Sequence, residues 1–171
     1  VQNSVIAFAN VIVQTQINSF GKFATAAYGT HAKVESFAFL PIMSFNMATT
    51  TFIGQNLGAK QYDRAKKGAR FGILTAVILA ELIGVAVYFA SPYLIGMFDS
   101  NAEVIRLGVQ QAKTASLFYC LLAFSHAVAA VCRGAGKAFV PMFVMLSVWC
   151  VLRIIYIQLV MTFSGNIELI Y

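Results

Sequence analysis

Charge is scarce in this chain: Lys, Arg, Asp and Glu together make up 11% of 171 residues, against about 25% in an average soluble domain. Together with 60% hydrophobic residues and a mean hydropathy of +0.78, that scarcity excludes an ordinary soluble globule and places the chain in the membrane class. Cysteine is sparse as well. Cys120, Cys132 and Cys150 show no CxxC spacing, which argues against both a zinc site and a disulfide framework, so they read as small buried hydrophobes. No initiator Met and no signal-peptide leader precede Val1, and a new apolar run opens just before Tyr171. An excised piece of a longer protein is therefore expected.

The net charge is +6, but five of the twelve cations, Lys60, Arg64, Lys66, Lys67 and Arg70, fall in one connection between apolar runs. Positive-inside topology accounts for that cluster better than phosphate recognition, and nucleic acid is not an expected partner. The lipid bilayer is. The fold expected is an all-α integral membrane bundle of five transmembrane helices, at about 1–20, 24–53, 62–98, 101–132 and 138–163, with a sixth starting near Ile167. Each run is long enough for a bilayer core of about 30 Å.

The second of these helices carries the densest chemistry. At about 100° per residue, Glu35, Asn46 and Thr49 lie within roughly 60° of His31, while Phe37, Phe39 and Phe45 point elsewhere. A polar stripe in so apolar a segment faces other helices or an aqueous path, because an ionisable group facing lipid costs about 2.5 kcal/mol or more. Pro41 removes a backbone hydrogen bond midway and predicts a kink. Gly54 and Gly58 after it allow a tight turn or a close backbone approach.

Asn3, Asn10, Gln14 and Asn18 form a second, uncharged stripe on the first helix, within roughly 80° of one another. Its plainer reading is amide packing between helices. In the third helix Glu81 is the deepest carboxylate and a functional candidate by default. Asp63 is placed to pair with Lys66 or Lys67. Ser100 and Glu103 have the spacing of a capping box at the start of the fourth helix. His126, with no second ligand at i±4, reads as a packing residue and not as a metal ligand. Arg133-Gly-Ala-Gly-Lys137 lacks the spacing and the hydroxyl of a phosphate-binding loop and reads as a hairpin. Arg153 falls roughly 22 Å along the fifth helix, a depth at which an arginine requires an anion or a snorkelling route.

Basic residues concentrate in the second and fourth connections, which puts residue 1 on the cytoplasmic side. Glu35 and Arg153 then share the outer half of the bilayer and are expected near one another, with Lys33 as a further neighbour. No catalytic set and no metal cluster is evident, and an enzyme is not expected.

The runs NSFG at 18–21, AAYGTHAKVE at 26–35, FIGQNLGAKQYDRAKKGAR at 52–70 and CRGAGK at 132–137 closely resemble bacterial multidrug and toxic compound extrusion (MATE) transporters. The resemblance covers essentially the whole chain and looks like part of the C-terminal six-helix lobe. It implies a secondary antiporter of the bacterial plasma membrane. Two pseudo-symmetric lobes rock about a central cavity and export small amphipathic, often cationic drugs against inward H+ or Na+, with no other cofactor. The partner implied is the missing N-terminal lobe of the same chain.

In the Na+-coupled branch, acids on the first and fourth helices of this lobe fall near Ile6 and Leu122, where no carboxylate stands on either span. Coupling is then expected to rest on an acid in the other lobe or on Glu35, with His31, Lys33, Arg153 and Glu81 as the remaining ion-coupling candidates. Asn10, Gln14, Asn18, Tyr28, Asn46 and Thr49 are the substrate-cavity candidates. The alternative is a flippase for a lipid-linked oligosaccharide or another amphiphile, from the same superfamily.

Overall fold

The computed structural model describes Val11, Gln14, Thr15, Ile17, Asn18 and residues 21–147. The described single residues before Gly21 are helical. Five helices follow: α1 (Lys22–Gly58), α2 (Tyr62–Gly96), α3 (Ala102–Ser116), α4 (Tyr119–Gly134) and α5 (Phe139–Leu146). Two of them, α1 and α2, are long and apolar enough to cross a membrane. The pair α3 and α4 meets the same test as a single span bent by 55°. Most of the first and fifth expected helices lies outside the described residues.

Helix α1 is continuous for 37 residues, through Pro41 and past the expected end at Ile53. The turn that follows does not use Gly54 or Gly58. Gln61 N donates to Asn56 O at 2.8 Å and Lys60 N to Leu57 O at 3.0 Å, closing a Schellman turn with Lys60 at φ 58°. The left-handed position thus belongs to a lysine, two residues beyond the last glycine. After α4 the same turn recurs: Lys137 N donates to Cys132 O at 2.9 Å and Gly136 N to Arg133 O at 3.0 Å, and here Gly136 takes φ 76° at no steric cost.

The expected fourth span is interrupted at Leu117–Phe118. No proline or glycine stands there. Instead, Thr114 Oγ1 donates to Gln110 O at 3.0 Å and Ser116 Oγ to Lys113 O at 2.9 Å. Side-chain hydroxyls competing for helix carbonyls favour bending. Thr49, Thr50 and Thr51 make the same bonds within the continuous α1, so these two contribute to the break and do not alone account for it. The N-cap of α3 also differs from the expected box. Asn101 accepts from Glu103 N at 3.0 Å, and the Glu103 carboxylate is engaged by Arg106 at 2.9 Å. Asp63 is exposed and pairs with neither Lys66 nor Lys67.

Small residues set the helix spacing. On α2 the buried positions are Ala65, Gly72, Ala76, Ala80, Gly84, Val87, Ser91 and Ile95, mostly one helical turn apart, so neighbouring backbones approach closely, as small-residue seams allow in membranes. A Cβ on Gly84 would lie 2.9 Å from Ser116 O, and one on Gly134 would lie 2.6 Å from Thr50 O. Thr50 Oγ1 also donates across to Ala130 O at 3.0 Å. Helices α1 and α3–α4 therefore run in parallel, with Ala27 beside Gly108, Ile42 beside Ala123 and Gly54 beside Gly134. The last of these contacts brings both Schellman turns, with Lys60 and the Arg133–Lys137 cations, to one end of the bundle.

Gly134→Ala should therefore destabilise the protein by roughly 1–3 kcal/mol, because the added methyl meets backbone and Cβ atoms that cannot rotate away. Gly29→Ala, with nothing within 4 Å of the new atom, should be neutral or stabilising by about 1 kcal/mol. Thermal unfolding of the two variants in detergent checks the contrast.

Candidate functional site

The polar stripe of α1 turns into the bundle. His31, Asn46 and Thr49 are buried at 4%, 3% and 7% exposure, whereas Phe37 is 66% exposed. Glu35 is half-buried beside them and is engaged in a polar interaction.

The seam of α1 with α3 and α4 collects the chemistry. Tyr119, the first residue of α4 after the break, is fully buried and packs edge-on to Phe39 at 5.1 Å between ring centroids. Glu35 is close enough to act on the Tyr119 hydroxyl electrostatically. His31 lies one turn before Glu35, on the face that carries Ala27 to Gly108 of α3, and Gln111 lies one turn beyond Gly108. Among the described residues, His31 Nε2, Gln111 Oε1, Tyr119 Oη and both amide atoms of Asn46 are buried without a hydrogen-bond partner. Most buried polar atoms in native proteins have partners. The register puts Gln111 at the level of His31, so water or a small cation is favoured there, whereas Asn46 lies about 22 Å further along α1.

The other sequence candidates distribute differently. Thr49 donates to Phe45 O at 3.0 Å, and its Cγ2 fills the space over Gly72, 2.7 Å from where a Cβ would stand. It closes the α1–α2 seam. Lys33 projects to the exposed side, with Nζ 5.5 Å from the centroid of the Phe98 ring, away from the Glu35 neighbourhood. Two residues on a helix are about 200° apart, which is why Lys33 and Glu35 cannot share a face.

Glu81 is exposed on the outer side of α2, well apart from His31. Its place is dictated by Ala80 and Gly84, the small residues that take the inner face. Gln14 donates to Asn18 at 3.1 Å, and Thr25 Oγ1 donates to the same Asn18 oxygen at 3.1 Å. This is a local amide-hydroxyl cluster near the start of α1, with Asn18 exposed. Tyr28 is half-buried. Asn10 and Arg153, and with the latter the expected Glu35–Arg153 pair, lie outside the described residues. His126 Nδ1 contacts Leu122 O at 2.9 Å and its ring lies 6.5 Å from Phe39, a packing role. Gln111 is the residue that sequence reasoning missed: near the helix start it reads as an interfacial amide, and only the register of α3 on α1 buries it.

The chain matches the MatE family model over residues 1–159. It is 26% identical to the "Probable multidrug resistance protein YoeA" of Bacillus subtilis, over 80% of this chain and 29% of the relative. To the "Probable multidrug resistance protein NorM" of Thermotoga maritima it is 25% identical, over 85% of this chain and 30% of the relative. A relative named FAD transporter, from Shewanella oneidensis, is 25% identical over 60% of this chain and 23% of its own length. The chain thus spans 29% and 30% of the two multidrug-resistance relatives. Among solved structures, a MOP superfamily transporter from Pyrococcus furiosus superposes with a TM-score of 0.90 at 18% identity, over 99% of this chain and 37% of that one. That protein's binding pocket is described as having reverse polarity, suggesting a different function. The superposition establishes the fold.

Tyr119 separates packing from polarity in this seam. Tyr119→Phe keeps the ring and removes an unpartnered hydroxyl, so thermal stability should hold or rise by about 1 kcal/mol. Tyr119→Ala opens a cavity and should cost about 3–5 kcal/mol. Equal losses in the two variants, measured by unfolding in detergent, would mean that the hydroxyl is bonded after all.

Proposed function

Because the chain belongs to the MatE family, we propose that the full-length protein is a secondary active transporter that exports small amphipathic, cationic drugs by antiport against H+ or Na+. This chain supplies part of one lobe, and a second lobe completes the cavity for alternating access. The relatives' names, as multidrug resistance proteins and transporters, support a non-enzymatic role. Two basic turns at one end of the bundle support a bacterial plasma-membrane protein with that end, and residue 1, in the cytoplasm.

The observation that carries the coupling role is the position of Glu35: a half-buried carboxyl within electrostatic reach of Tyr119 and one helical turn from His31, whose Nε2 lacks a partner. A cation arriving there neutralises the carboxylate, and the unpartnered oxygens and imidazole nitrogen solvate what the carboxylate binds. Neutralisation changes how well the half-buried group tolerates contact with the other lobe. A drug cation and the coupling cation then favour different arrangements of the two lobes, which is the differential affinity that antiport requires. His31 is placed one turn away to pass a proton along the seam.

Glu35→Gln in the full-length protein should reduce drug export by about tenfold or more, with membrane expression intact. Drug accumulation in an efflux-deficient host measures it. Export at the parental level would assign Glu35 to structure alone.

A further inference from the structure

Between α2 and the break that separates α3 from α4, the bundle carries a pocket of about 170 Å3 that opens outward. Its walls are Glu81, Val85, Tyr88 and Phe89 of α2, and its floor is Ser116 and Leu117 at the break between α3 and α4. The pocket exists because Gly84 has no side chain, so that Ser116 O comes to 2.9 Å from the place a Cβ would take, and because the helix bends there by 55°.

The surround is apolar and open: Ile78, Leu82 and Phe89 are 51%, 65% and 75% exposed. Glu81 stands among them with no hydrogen bond or ion pair among the described residues. The nearby cation Lys113 is directed instead to the Tyr88 ring, 5.4 Å from its centroid. Glu81 lies ten residues into the apolar run that opens at Phe71, about 15 Å along the helix and so near the middle of a core of about 30 Å. Lipid headgroups are therefore too distant to neutralise it.

A carboxylate, the partly negative carbonyl end of α3 and the face of Phe89 all attract positive charge, while Lys113 already occupies the Tyr88 ring. The volume holds a small ammonium head, and the exposed strip beside it holds an apolar tail. We propose that this pocket is a lipid-facing binding site for an amphipathic cation dissolved in the bilayer, an amine or quaternary ammonium whose head meets Glu81 and whose body lies along Leu82 and Ile78. The site is independent of the coupling role of Glu35, so its test reads binding and not export.

The experiment is equilibrium binding of radiolabelled benzyldimethyldodecylammonium to the full-length protein in nanodiscs, corrected with empty nanodiscs. Glu81→Gln should weaken one class of sites by about tenfold, and Val85→Trp, which fills the pocket and leaves the carboxylate in place, should abolish the same class. Glu35→Gln should leave it unchanged. Unaltered binding in both pocket variants, or loss of that class in Glu35→Gln, would overturn the assignment. So would a parental protein that takes up no more probe than empty nanodiscs, the result expected if another part of the protein covers Glu81.

Discussion

The close seam between α1 and the bent pair α3–α4 is the constraint from which the other features follow. Gly134 has no side chain, so Thr50 can reach Ala130 O at 3.0 Å, and that contact sets the register of two parallel helices. Once the register is set, Ala27 meets Gly108, Ile42 meets Ala123, and Glu35 comes within electrostatic reach of Tyr119. The polar side chains of α1 have no lipid-facing alternative, because their spacing matches that of the buried alanines and valines. Burial without partners at His31, Asn46, Gln111 and Tyr119 is thus a consequence of helix packing, and such burial is costly unless water or an ion completes the hydrogen bonding.

The break at Leu117–Phe118 has two consequences on opposite sides. Inward, it starts α4 with the buried Tyr119 against Phe39. Outward, it forms the floor of the pocket beside Glu81. A straight helix through 116–119 would give neither. Irregular backbone at membrane depth is accepted where protein or a polar cavity satisfies it, and here the hydroxyls of Thr114 and Ser116 bond Gln110 O and Lys113 O beside the break.

Part of this was legible in the residues alone. The 3.6-residue period of His31, Glu35, Asn46 and Thr49 identified the inward face of α1, and the membrane class and family resemblance followed from composition and four short runs. The break was not legible, since breaks are expected at proline or glycine and neither stands at Leu117–Phe118. The face of Glu81 was not legible either. Helix α2 is apolar all round, and what distinguishes its inner side is side-chain size, with Ala76, Ala80 and Gly84 inside and Ile78, Leu82 and Phe89 outside. A reading by hydrophobicity is blind to that difference. Thr49 illustrates the same limit: a hydroxyl on the polar face became the filler over a glycine.

The central claim is that Glu35 is the carboxyl that takes up the coupling cation. Infrared difference spectroscopy of the full-length protein, on lowering the pH or adding Na+, reads that event directly, because either cation shifts carboxyl vibrations. The account predicts that one component of the carboxyl difference bands is lost in Glu35→Gln, the other carboxyls contributing the rest. Identical difference bands in the two proteins would contradict it.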